Sequence, residues 1–117
     1  MYWRIVRLKR FISPYYQMIL ITLKVQIAKL YWSIKKPGFP DNPDGKTLFH
    51  IGCGEINSPE FINIDARKDK HIHIVTRNIF RLWMIPSNTS DLIYMCHILE
   101  HVTRKEIPLV LKEMFRI

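Results

Sequence analysis

The chain has 117 residues, 48% of them hydrophobic and 24% charged, with a formal net charge of +8. That length holds one small core, the hydrophobic share argues against a disordered tail, and a mean hydropathy near zero argues against an integral membrane protein. Two cysteines, Cys53 and Cys96, are too few for a disulfide framework and suit a reducing, cytoplasmic setting.

The charge is unevenly placed. Arg4, Arg7, Lys9, Arg10, Lys24, Lys29, Lys35 and Lys36 fall within residues 1–36 with no acid among them, whereas residues 37–117 carry ten bases and ten acids. The positive potential therefore belongs to an N-terminal appendage on a balanced globular segment. Within that appendage, Ser13-Pro14 reads as an N-cap followed by proline in the first turn. Tyr16, Leu20, Leu23, Ile27, Leu30 and Ile34 then recur at steps of four and three, which places them on one stripe of a helix. Lys24 and Lys29 interrupt the apolar run well short of a bilayer span. Lys24 and Gln26 also stand where a secretory signal would need its apolar core and cleavage site. The preferred expectation is that the stripe packs on the helix's own domain. The alternative is a basic, aromatic-rich helix in peripheral contact with an anionic inner membrane surface. Trp3, Tyr15 and Tyr16 could stack on bases, but no nucleic acid is specifically indicated.

Residues 37–45 contain Pro37, Gly38, Pro40, Pro43 and Gly45 and read as a linker. From residue 46 the period changes. Thr47–Ile51 is expected to be a buried strand ended by Gly52-Cys53-Gly54, Phe61–Asp65 a second ended by an acid, and His71–Val75 a third. Asp91–Cys96 is a fourth, with an apolar run suited to a sheet covered on both faces. Ile98–Val102 reads as a helical turn or two, and residues 104–116 as a helix with Ile107, Val110, Leu111 and Met114 on one side. Strands alternating with helical or loop segments predict an α/β fold with a parallel sheet.

A strand ending in Gly-x-Gly, followed by a strand ending in Asp, has a physical use. Glycines at the carboxyl end of a strand let a ligand approach the backbone, and a carboxylate on the next strand can accept from ribose hydroxyls. Gly52, Gly54 and Asp65 fit those roles. The ordinary alternative is a tight turn and a strand-ending acid.

Four segments in register extend the pattern: LFHIGCGEINSPEFINID at 48–65, IVTRNIFRLW at 74–83, SDLIYMCHILEHV at 90–102 and VLKEMFRI at 110–117. Together they resemble class I S-adenosylmethionine-dependent methyltransferases of the type 11 group over roughly residues 47–117. The resemblance implies a Rossmann-like methyltransferase sheet, S-adenosyl-L-methionine as cofactor, and methyl transfer to a small-molecule, lipid or glycan-precursor acceptor. It implies that Gly52, Cys53 and Gly54 line the methionine portion and that Asp65 holds the ribose hydroxyls. It sets Asn78 against the adenine amino group, in place of the usual acid, and Ile79 on the adenine face. His97, past the fourth strand, would line the floor near the sulfonium and is the one candidate base. His50 belongs to the same site, two residues before the first glycine, where many members carry an acid; Ile56 replaces a third glycine.

The family's strand order is 3-2-1-4-5-7-6. Four strands of an expected seven imply an incomplete sheet, a truncated gene product or fragment, and a fourth strand left as an edge open to self-association. The alternative function is therefore a non-catalytic fragment acting as a membrane- or partner-binding module. His97, Glu100 and His101 also match H-x-x-E-H, a zinc-peptidase pattern, but a strand runs directly into His97 where that pattern needs a long helix, and no metal is expected. His71 and His73 alternate and make a poor metal pair. Cys53 and Cys96 are expected to be small buried residues rather than reactive thiols.

Overall fold

The computed structural model describes residues 13–117; Trp3, Arg4, Arg7, Lys9 and Arg10 lie outside the described residues. Helix α1 (Pro14–Lys35) is capped by Ser13, whose hydroxyl oxygen accepts from the Tyr16 N–H at 3.4 Å, and it runs into a 3-10 turn, Lys36–Gly38. Four strands follow, β1 (Leu48–Ile51), β2 (Ile62–Asp65), β3 (Ile74–Val75) and β4 (Leu92–Met95), then a 3-10 turn at Leu99–His101 and helix α2 (Ile107–Arg116). Every neighbouring pair is parallel and the order is β3-β2-β1-β4. The fold is α/β, with the strand order of an incomplete Rossmann-like sheet. Between β1 and β4 the order reverses direction, which is where doubly wound sheets open a crevice at the carboxyl ends of the strands.

Alternation along the strands puts Phe49, Ile51, Ile62, Ile64 and Ile74 on one face, where they form the core with Leu82, Met84, Ile85 and Ile117. Trp32, near the end of α1, closes this core with its ring 5.9 Å from Phe49 and 5.0 Å from Phe39. Phe39 belongs to the segment read as a linker. Asn42 of that segment donates to the carbonyls of Lys46 (2.9 Å) and Glu60 (3.0 Å), so residues 37–45 are part of the folded body.

Further expectations change. The stripe of α1 does not pack on the domain. Ala28 is the only buried residue of the helix, and Tyr16, Leu20, Leu23, Ile27, Leu30 and Ile34 are all exposed. The third strand is shorter than expected: the His73 N–H still donates to the Asn63 carbonyl (2.9 Å), but the Asn63 N–H donates to His73 Nδ1 (2.9 Å) and Asn63 Nδ2 to the His71 carbonyl (3.1 Å). Finally, β4 is not covered on both faces, and Leu92 and Tyr94 are each 49% exposed. The end of α1, the 82–85 segment and Ile117 at the end of α2 all join the Phe49 face, while β4 pairs only with β1 and forms an edge.

Helix α2 is entered through Thr103, whose N–H and hydroxyl both donate to Glu106 at 2.8 Å. It buries Val110 and Glu113, while Leu111, expected on the inner side, is exposed. The reason is a clamp. Glu113 Oε1 accepts from the Leu82 N–H (2.6 Å) and from Arg116 Nη2 (2.7 Å), and Arg116 also donates to the carbonyls of Leu82 (2.9 Å) and Ile85 (3.0 Å). Glu113→Leu strands one buried N–H and one cation that still has access to water. It is expected to lower unfolding free energy by about 2–4 kcal/mol in urea denaturation, and a change near zero would show that the clamp is dispensable.

Candidate functional site

Gly52 and Gly54 leave β1 with φ of 72° and 57°, a left-handed backbone that glycine adopts without strain. The Gly52 N–H donates to the Ile64 carbonyl at 2.8 Å, which swings the loop across the tip of β2. There Asp65 Oδ2 accepts from the Gly54 N–H (2.8 Å), and Asp65 Oδ1 accepts from the Arg67 N–H (2.9 Å). His71 Nε2 donates to the Gly54 carbonyl at 2.9 Å. The tips of β1 and β2 are thus tied together through one glycine and one carboxylate. Burial pushes the Asp65 carboxyl up, but the N–H groups of Arg67 and Gly54 and the Arg67 guanidinium outweigh it, and its pKa lies below the usual value. Two carboxylate oxygens offer about four acceptor positions, so the ionised group keeps capacity for further donors.

The bend itself is not open at Gly52. A Cβ there would lie 2.7 Å from Ile98 Cγ1 and closer still to Ile98 Cδ1, so the glycine is required by Ile98 packing on it. At Gly54 the nearest atom to such a Cβ is Arg67 Nη2 at 3.6 Å, and that side has room. Cys53 is buried between them, and burial, followed by the Asp65 charge, pushes its thiol up, away from reactivity at neutral pH.

His50 sits inside β1, its Nδ1 3.1 Å from the Ser58 hydroxyl and its ring edge-on to Tyr94 at 4.9 Å. Burial lowers its pKa against an opposing pull from Asp65. Asn78 is exposed, and its Oδ1 accepts from the Phe80 N–H at 3.1 Å in a local turn. Ile79 next to it lines a cleft of about 380 Å³, walled also by Phe80, Ile98 and Val102, with Arg77, His101 and Glu106 as polar members. This volume falls in the ~300–1,000 Å³ range of small-molecule sites. The cleft lies between the segments that follow β3 and β4, and Ile98 is both its wall and the filler of the Gly52 bend.

His97 is not among the residues lining that cleft. Its backbone is left-handed (φ 56°), and its side chain is 84% exposed with Nδ1 2.9 Å from Glu100 Oε1, so the expected place on the floor of the site is not what this turn produces. The hydrogen bond with His97 holds the Glu100 carboxyl below its usual pKa. His101 belongs to a single 3-10 turn, so it does not share a long helix face with His97. Among the described residues, no group of three or more His, Cys, Asp or Glu side chains is placed to hold a metal ion.

Beside the sequence candidates Asp65, Gly54 and Ile79 the structure places Arg67, His71 and Ile98, which the sequence reading did not assign to the site. His71 reaches Gly54 across 17 residues, and no local spacing signals that contact. The fold is that of an α/β protein with a glycine bend and a carboxylate at the carboxyl ends of its two central strands. Searches against family models, curated proteins and solved structures find no match.

Gly52→Ala is expected to cost about 1–3 kcal/mol through left-handed strain alone, and more through the clash with Ile98. Adding Ile98→Ala should recover the clash component in a double-mutant cycle, and strictly additive losses would show that the two residues do not touch. Stability should also fall on acidification in two stages. His50 and His73 have lowered folded pKa values, His73 through burial and then the neighbouring His71. Their unfolded forms take up protons first, so stability is full above about pH 6.5 and is lost below it. Asp65 has a lowered folded value, so its share is present above about pH 4 and is lost as pH falls through that lowered value. His73→Gln, whose amide oxygen can still accept from Asn63, should flatten the upper stage in urea titrations at stepped pH, and an unchanged profile would refute it.

Proposed function

We propose that the chain binds S-adenosyl-L-methionine across the tips of β1 and β2 and is a methyltransferase. The observation that carries this reading is an ionised carboxylate with spare acceptor positions at the end of β2, tied to a glycine loop at the end of β1. The neighbouring cleft, lined by Ile79, extends toward the segment after β4. Asp65 would accept from the ribose hydroxyls and Ile79 would pack on the adenine face. The Asn78 amide oxygen, already accepting from Phe80, keeps one lone pair for the adenine amino group. Gly54 would allow close approach of the ligand from its open side.

The bound cofactor would supply an electrophilic methyl group. The chain's part is alignment, which such a displacement needs above all. The acceptor class is a small molecule, lipid or glycan precursor, and the setting is cytoplasmic, where Cys53 and Cys96 stay free thiols. A second reading, a binding module that takes no cofactor, is favoured by Ile98 filling the Gly52 bend.

Isothermal titration of the full chain with S-adenosylmethionine separates the two. Micromolar binding is expected. Asp65→Asn should weaken it at least about tenfold through loss of charged hydrogen bonds, with far-UV circular dichroism unchanged. Ile98→Ala should strengthen binding by opening the bend. Silence from both the wild type and Ile98→Ala would overturn the methyltransferase reading.

A further inference from the structure

We infer that the outer face of α1 is a docking surface for an anionic lipid bilayer. Tyr16, Leu20, Leu23, Ile27, Leu30 and Ile34 form one continuous stripe along the helix and are 43% to 69% exposed. The helix is fastened to the domain from the other side. Ala28 is its one buried residue and Trp32 packs on Phe49. Both stand two residues from Leu30, about 200° round the helix. Eleven large apolar side chains of α1 are therefore exposed, these six together with Tyr15, Met18, Ile19, Ile21 and Val25, along a helix of 22 residues, roughly 33 Å, and the domain that holds the helix at Ala28 and Trp32 does not cover them.

Charge selects the occupant. Residues 1–36 carry eight cations and no anion, and α1 contributes Lys24, Lys29 and Lys35. A second copy of the helix would bring cations against cations. Nucleic acid would satisfy the charge but leave the aliphatic stripe wet. An anionic bilayer surface satisfies both, taking the stripe into the headgroup–acyl boundary while the lysines reach phosphate groups. No helix among the described residues is long and apolar enough to cross a membrane, so this helix lies on the surface. Tyr15 and Tyr16, exposed at the start of the helix, are the amphipathic aromatics that prefer the interfacial depth. The surface is independent of the cofactor site and stands or falls without it.

Co-sedimentation of the full chain with phosphatidylcholine vesicles, with and without phosphatidylglycerol, tests the inference. Binding to the anionic vesicles should be at least about tenfold tighter and should weaken with salt. Replacing Lys24 and Lys35, which flank the stripe, by Gln should cost about fivefold per lysine. Ile27→Glu should abolish binding with the circular dichroism spectrum unchanged, since the stripe is not part of the core. Equal binding to neutral vesicles, or wild-type binding by Ile27→Glu, would overturn the inference. So would absence of vesicle binding together with a concentration-dependent dimer in sedimentation velocity, which would assign the stripe to a second copy, or with retention on duplex DNA, which would assign the charge to nucleic acid.

Discussion

The hydrogen bond from the Gly54 N–H to Asp65 holds the site together. It joins the tips of the two central strands, and a bond to a charged acceptor of this kind contributes about 1.5–3 kcal/mol. His71 secures the same glycine from its carbonyl side, and Arg67 fixes the second carboxylate oxygen. The loop between β1 and β2 has no helix to brace it, so these side chains do the bracing. The same carboxylate that would serve a ribose is already structural, which is why its ionisation and the loop geometry are inseparable.

Beneath that loop the sheet face is polar. His50 and Asn63 are buried on β1 and β2; His50 pairs with Ser58, and Asn63 Nδ2 donates to Asn57 and to the His71 carbonyl, while Asn63 Oδ1 is buried without a partner among the described residues. The opposite face carries the whole apolar core. Parallel sheets ordinarily bury both faces under crossover helices. Here the connections between strands are loops, and the helices and apolar segments gather on one side. The cost appears on β4, where Leu92 and Tyr94 meet water. An apolar strand at an open edge is a liability for pairing with other chains.

Ile98 connects the loop to the cleft. It fills the space above Gly52 and forms one wall of the cavity beside Ile79. A ligand that lies across both strand tips must share or displace that side chain. Helix α1 belongs to a separate physical problem. It is anchored at Ala28 and Trp32 and presents its apolar stripe away from the domain and from the site.

Much of the fold was legible in the residues. Strand runs at 48–51, 62–65 and 92–95, the glycine bend and the terminal carboxylate are local patterns, set by the period of the backbone and by glycine's access to left-handed geometry. The capping Ser13 and the helix it starts were readable for the same reason. What periodicity cannot specify is which element a face will meet. The α1 stripe has the spacing of a core-facing helix, and only the position of Trp32 against Phe49 turned it outward. Leu111 lost its inner place to Glu113 because Arg116 found carbonyls on a segment 31 and 34 residues away. His97 left the cleft through a left-handed turn and a bond to Glu100, and Ile98 entered the bend in its neighbourhood. Local chemistry determined the elements and the candidate ligand atoms; long-range packing decided which of those atoms face a ligand and which face solvent.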